Sequence, residues 1–343
     1  MILNGLAVGT CSFMAAGLFE DLTRASHTHV PGYSFIAEAI WTNPAWLCIG
    51  VLSLYANDHQ PIHLIIPGSI LTRNILGLGL GFFSGGITQR VQRYNPDAIF
   101  TTASLKLVCL IPLVLCSLLI LAIRDEDVPG TPTDRDGSII LFSRGAAIVS
   151  LAGYIAYWFF WNITHQDLFR TEAENTVPSH SSSPTTTLNR PIKPLIFTFS
   201  LFSLLLCSVI LIHTLTELPS SMPTNTTFLL TIPLPLLIHH HELVVIAKAS
   251  YLNKRSSALL VAEGGTLHTA LVVVPFLVLL SWVVSGRPPL TLQTPLLPLV
   301  AAGLAAWVSG VVLQDGRSNY LKGVVLLVLY FSAAIAAFLL PAS

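Results

Sequence analysis

The sequence TFLLTIPLPLLIHHHELVVIAKAS (residues 227–250), followed closely by SALLVAEGGTLHTALVVVPFLVLLSWVVSG (257–286), decides how this chain reads. Each run is long enough to cross a bilayer, for which about 20 apolar residues suffice. The first nevertheless carries His239, His240, His241 and Glu242 in its middle. A charge at that depth costs about 2.5–3.5 kcal/mol on insertion scales, so it normally faces a partner or a watery cavity. Glu242 is therefore the first candidate for a functional side chain.

The rest of the chain is equally apolar. Hydrophobic residues make up 53% and charged residues only 10%, with a mean hydropathy of +0.71, whereas roughly a quarter of the residues of a soluble domain are charged. Apolar runs at 1–19, 35–56, 62–86, 99–123, 139–162, 194–216, 227–249, 257–284, 295–313 and 322–340 predict an all-α polytopic membrane protein of about ten transmembrane helices. The first run has no basic leader or clear cleavage site and is expected to remain as a span. Zero net charge argues against a nucleic-acid partner. Cys11, Cys48, Cys109, Cys116 and Cys207 all lie within apolar runs without CxxC spacing, which suits small packing residues. There is no nucleotide-binding glycine loop and no nucleophile beside a base, so the sequence points away from an enzyme and towards transport driven by an ion gradient.

Short cytoplasmic loops collect Lys and Arg. The segments with Arg24, with Arg90 and Arg93, with Arg170, Arg190 and Lys193, with Lys254 and Arg255, and with Arg317 and Lys322 form one set. They are expected on the cytoplasmic side, with both termini opposite. Asn225, in the sequon Asn225-Thr226-Thr227, then lies where it could accept a glycan.

The Ser-, Thr- and Pro-rich stretch 170–193 reads as a flexible linker between a first repeat at 1–169 and a second at 194–343, with five spans in each. Spacing supports a duplication. Trp46, at the end of Asn43-Pro44-Ala45-Trp46, precedes Gly68-Ser69 by 22 residues, and Glu242 precedes Gly264-Gly265 by the same 22 (68 − 46 and 264 − 242). Paired interruptions in the two halves of an inverted repeat point to a transport site. Gly77, Gly81 and Gly85, four apart, instead suit a helix-packing face.

Several motifs resemble the calcium/proton exchanger branch of the cation/calcium antiporter superfamily. These are GSILTRNILGLGLGFFSGG (68–86) with QRYN (92–95), LFSRGAAIVSLAGYIAYWFFWNITHQDLF (141–169), ALVVVPFLVLLSW (270–282) and LQDGRSNYLKG (313–323). By this likeness the chain starts where the family's second helix would. The resemblance implies two copies of a GNAxE-like signature whose glutamates bind calcium and exchange protons at the midplane. A hard divalent cation needs several oxygen ligands and negative charge. In the second half that glutamate falls on Glu242, the asparagine on His239 and the glycine on Ile238. In the first half the asparagine falls on Asn43, the glycine on Thr42 and the glutamate on Trp46. The family's nearby glutamines fall on His63 and His268, and an asparagine falls on Arg73, or on Asn74 after a one-residue shift.

Trp46 offers no oxygen ligand, and Arg73 adds a fixed cation. Glu242 can thus be a cation ligand and proton carrier, the partner of a buried Arg73, or a neutral acid in lipid. His239, His63 and His268 with Glu242 would suit zinc or manganese better than calcium, although a degenerate site explains the substitutions more simply. Glu38 and Glu263 are further acids within spans, and Glu263 could line the same cavity. Glu172 and Glu174 fall where the resemblance implies an acidic regulatory linker, but two acids are too few to sense calcium, and the run Arg124-Asp125-Glu126-Asp127 reads as a solvated loop.

The leading expectation is a proton-coupled divalent-cation antiporter of a vacuolar membrane. It has no cofactor; its partners are calcium, protons and the lipid bilayer, and Glu242 is its principal metal ligand with His239, Asn43, His63 and His268 in support. The alternative is a transport-inactive family member serving as a regulatory or assembly partner. Homo- or hetero-oligomerisation stays open.

Overall fold

The computed structural model describes residues 1–25, 43–94, 96–122, 135–165, 192–221, 225–284 and 288–339. It is almost wholly helical, as a chain in hydrocarbon must be if every backbone polar group is to be bonded within its own segment. The helices are α1 (Ile2–Ala25), α2 (Pro44–Ala56), α3 (Gln60–Leu71), α4 (Leu78–Thr88), α5 (Pro96–Ala122), α6 (Arg135–Phe159), α7 (Lys193–Ser221), α8 (Thr226–Thr231), α9 (Pro233–Tyr251), α10 (Arg255–His268), α11 (Val274–Val283), α12 (Leu296–Leu313) and α13 (Tyr320–Phe338). α3 runs into α4 through a π-helical segment at Thr72–Gly77, and α10 into α11 through another at Thr269–Val273. Among the described residues, nine helical stretches are long and apolar enough to span a membrane, and the shorter α2 lies in the run 35–56, the second of the expected spans. The linker up to residue 191, Glu38, Thr42, Glu172, Glu174 and the acidic run 125–127 lie outside the described residues.

The two π segments begin four residues after Gly68 and after Gly265, in the two helices that the sequence paired. A π segment widens the turn by one residue and is common at functional sites. The most apolar 18 residues of Gln60–Thr88 are 94% buried, against 22% for those of Tyr320–Phe338, so the first sits at the centre and the last faces outward. Gly68 makes the central crossing feasible, because a Cβ there would collide with the Thr231 backbone. The absence of Cβ lets α4 approach α9 closely at Gly81, where the nearest atoms, of Ile246 and Ser250, would lie 3.3 Å from a Cβ, while Gly77 makes ordinary contacts with Leu243, Ile246 and Ala262. Gly85 abuts the Gln92 side chain instead.

Two apolar clusters flank the bundle centre. One gathers Trp46, Ile49, Ile65, Ile70, Leu271 and Leu277, the other Ile75, Leu78, Ile246, Ala262, Leu326 and Tyr330. Along the α3–α4 stretch the change from one cluster to the other falls between Ile70 and Leu71, and along α10–α11 between Ala262 and Leu267. The polar side chains of both π-bulged helices occupy that boundary.

At one end of the bundle a two-residue ribbon pairs β1 (Gln92–Arg93) with β2 (Arg317–Ser318), antiparallel. Two loops expected on the cytoplasmic side are thereby joined. Tyr94 anchors the ribbon by donating its hydroxyl to the Leu313 carbonyl at 3.3 Å. Burial, with Asp315 nearby as a second cause, raises its phenol above the ordinary value, so it stays a donor. Gly86 permits the close approach of α13: a Cβ there would lie 2.6–2.8 Å from Tyr320 Cβ, Cα and N. Gly86→Ala is expected to cost about 1–3 kcal/mol through overpacking. Gly145→Ala, which meets nothing within 4 Å, should leave thermal unfolding of the purified protein unchanged or slightly raised.

The asparagine of the sequon has a structural role here. Asn225 caps α8: its Oδ1 accepts from the Phe228 N–H at 3.0 Å, and its Nδ2 donates to the Ala337 carbonyl at 3.0 Å. Nδ2 is the atom to which a glycan would be joined. The residue that reads as a sequon thus serves as an N-cap tied to the end of α13.

Candidate functional site

Asn43 ends the segment before α2, and Pro44 occupies the first helical turn, where a missing N–H leaves no bond unmade. The Asn43 side chain makes no cap hydrogen bond. Its Oδ1 accepts instead from Arg73 Nη2 at 2.6 Å. Arg73 is the second residue of the first π segment and is 1% exposed. Its guanidinium donates twice to Glu242 on α9, from Nε to Oε2 at 2.9 Å and from Nη2 to Oε1 at 2.7 Å. Nη1 reaches Thr269 Oγ1 at 3.3 Å, while the Thr269 hydroxyl itself donates to the Gly265 carbonyl. Gly265 is the cradle of this group, since a Cβ there would lie 2.7 Å from Arg73 Cζ. The planar fork of arginine matches both oxygens of a carboxylate and stays charged at any biological pH.

His239 stands against the same carboxylate, with Nδ1 3.4 Å from Glu242 Oε2 and Nε2 2.7 Å from Ser69 Oγ. Its ring packs on Trp46 at 5.3 Å between centroids. His240 and His241 turn away, as neighbouring positions on a helix must. His240 Nδ1 is 2.6 Å from the Leu237 carbonyl, and His241 stacks on Phe13 of α1 with Nε2 3.2 Å from Thr10 Oγ1.

The partners of Glu242 are Arg73 and His239. His63 lies one turn into α3, and His268 packs edge-on against Tyr154 at 5.4 Å. Among the described residues no three His, Cys, Asp or Glu side chains are grouped so as to hold a metal ion. The nitrogen-rich set expected for zinc or manganese therefore does not assemble, and the lone pairs of Glu242 that would face a metal are directed at a guanidinium.

A second buried pair adjoins the first. Lys106, the eleventh residue of α5, donates to Glu263 Oε2 on α10, to Ser309 Oγ on α12 at 2.7 Å and to Asn74 Oδ1 at 3.2 Å. Lys106 and Glu263 are both 0% exposed. Asn74 also accepts from Thr266 Oγ1 at 3.1 Å. Adjacent residues of one π segment, Arg73 and Asn74, thus serve two separate ion pairs. In each the cation comes from the first half of the chain and the carboxylate from the second. Glu263 was legible as an acid within a span, but Lys106 and Ser309 were missed. The available signal was a lone lysine inside an apolar run, the criterion that had singled out Glu242.

The comparisons with known proteins agree with this architecture. Residues 192–339 match the family model described as sodium/calcium exchanger protein. A vacuolar calcium ion transporter of Schizosaccharomyces pombe is 26% identical over 340 residues, which cover 99% of this chain and 79% of that protein. Vacuolar cation/proton exchanger 3 of Arabidopsis thaliana is 28% identical over 319 residues, 90% of this chain and 67% of that protein. The solved structure of native YfkE, a Ca2+/H+ antiporter, superposes with a TM-score of 0.73 at 20% identity, over 97% of this chain and 89% of its own. Over most of its length this chain is similar to vacuolar calcium and cation/proton exchangers, and it shares the fold of YfkE. In this fold, the two residues expected to depart from the family's motif stand together at the centre. Trp46 is 5% exposed against His239, and Arg73 holds Glu242. Ile238, at the expected glycine position, is buried beside them, and its carbonyl is where a Cβ on Gly9 of α1 would strike.

Proposed function

We propose that this chain is a multi-pass protein of the vacuolar membrane with a calcium/proton exchanger scaffold whose central cation site is held shut by its own arginine. It would serve as a regulatory or assembly partner in place of exchanging ions. The observation that carries this reading is the two-pronged Arg73–Glu242 bond, with Asn43 on the same guanidinium. The two side chains at signature positions that could bind calcium through oxygen, Glu242 and Asn43, are both turned onto Arg73. A calcium ion entering there would leave a buried arginine unpaired, which costs about 3–5 kcal/mol. That is roughly two to three and a half decades of apparent affinity. Arg73 cannot escape the cost by losing its proton, as a lysine could. The location follows the relatives, which are named as vacuolar proteins.

A second reading, calcium/proton antiport with Glu242 as the alternating ligand, is favoured by the near full-length similarity to the S. pombe transporter. It requires Arg73 to swing away from Glu242 once per cycle. Proton-gradient-driven uptake of labelled calcium, with manganese and zinc in parallel, separates the two in vesicles containing the folded protein. Uptake no greater than in empty vesicles, and unchanged in Glu242→Gln, is the expected result. Uptake that Glu242→Gln abolishes would establish the antiporter and overturn the closed-site reading.

A further inference from the structure

Lys106 is not accounted for by the site around Glu242. An ammonium has three N–H donors, and all three are used, on one carboxylate oxygen, one amide oxygen and one hydroxyl oxygen from three different elements. The acceptors are oriented for a cation. Ser309 spends its hydroxyl proton on the Ala306 carbonyl at 2.8 Å, which turns its lone pairs towards Lys106. Thr266 donates to Asn74 Oδ1 and so fixes the amide with its oxygen towards the ammonium. The second carboxylate oxygen, Glu263 Oε1, is buried and bonded to nothing among the described residues. Three oxygens thus converge where the Nζ atom sits, all on parts of the bundle other than α5, which carries the lysine.

We propose that Glu263, Asn74 and Ser309 form a second cation site, separate from that of Glu242, in which the Lys106 ammonium is the permanent tethered occupant. One carboxylate and neutral oxygens match a monovalent cation of ammonium size, so potassium and ammonium are the untethered equivalents. A divalent ion would leave a positive charge unbalanced at full burial. The tether makes occupancy independent of the surrounding salt and holds α5, α10 and α12 to the first π segment. This inference does not rest on the state of Glu242, and it is read from folding rather than transport.

The test is chemical rescue of the full-length protein. Lys106→Ala keeps the oxygens and frees the space the side chain filled. The variant is extracted and purified in potassium, ammonium, methylammonium or N-methyl-D-glucamine chloride, and the recovered monodisperse fraction and its melting are compared. At a cation concentration of a hundred times its Kd, mass action raises the folded-to-unfolded ratio about 100-fold. The expected result is more folded Lys106→Ala, melting later, in potassium, ammonium or methylammonium than in the bulky cation. The wild-type protein and Lys106→Ala/Glu263→Gln should show no such dependence. Equal behaviour of Lys106→Ala in all four salts, whether folded or unfolded throughout, overturns the proposal. So does the same salt dependence in the wild type or in the Glu263→Gln background.

Discussion

Arg73→Met is expected to destabilise the protein by about 3 kcal/mol, the lower end of the 3–5 kcal/mol typical when one member of a buried pair is removed. The lower end applies because the Glu242 side chain retains 27% exposure and can recover part of its hydration. The reverse change, Glu242→Gln, should cost more. It strands a guanidinium that is 1% exposed and that cannot discharge by losing a proton. Removing both charges with Arg73→Met/Glu242→Leu should restore most of the loss, since apolar replacements of whole buried pairs are often neutral or better. A double-mutant cycle on thermal or denaturant unfolding reads the coupling directly. A coupling near zero would mean that the two side chains do not share a bond in the folded protein, and the closed-site reading would fall with it.

Lys106→Met carries the other large effect. Glu263 would be left as a carboxylate at 0% exposure beside Asn74 and Ser309, so the upper end of the range, about 5 kcal/mol, is expected. Glu263→Gln should be milder. The amide still accepts from Lys106, and an ammonium, unlike a guanidinium, can give up its proton and become neutral. The order of damage between partners is therefore opposite in the two pairs: in the arginine pair losing the acid is worse, and in the lysine pair losing the base is worse. Melting curves of the four single variants in one buffer would establish or refute that order.

Much of the fold was legible because bilayer chemistry leaves few alternatives. Apolar runs marked the spans, and the repeated spacing from Trp46 to Gly68 and from Glu242 to Gly264 marked the helices that carry the π segments. Gly77 and Gly81 were readable as packing positions for the same reason, small residues at helical spacing. The meeting of Arg73 with Glu242 was foreseeable as one of three outcomes, because a buried charge needs an opposite partner and few were available. What could not be read was direction. A π segment rotates every following side chain relative to an ideal helix. Whether Arg73 or Asn74 faced α9 depended on a turn that has no sequence signature. Asn225 shows the same limit at a helix end, where a sequon and an N-cap use the same residue types.

The division of charge between the halves bears on how such a protein is made. Arg73 and Lys106 precede residue 170, while Glu242 and Glu263 follow residue 193. A ribosome delivers the half with Arg73 and Lys106 to the membrane first, and these two charges then lack their partners Glu242 and Glu263 until α9 and α10 arrive. At about 2.5–3.5 kcal/mol for each unpaired charge, that early half is an unstable guest of the bilayer, dependent on the insertion machinery until its counterpart is synthesised. Completion of the chain, rather than entry of its first helices, is thus the step that commits it to the membrane.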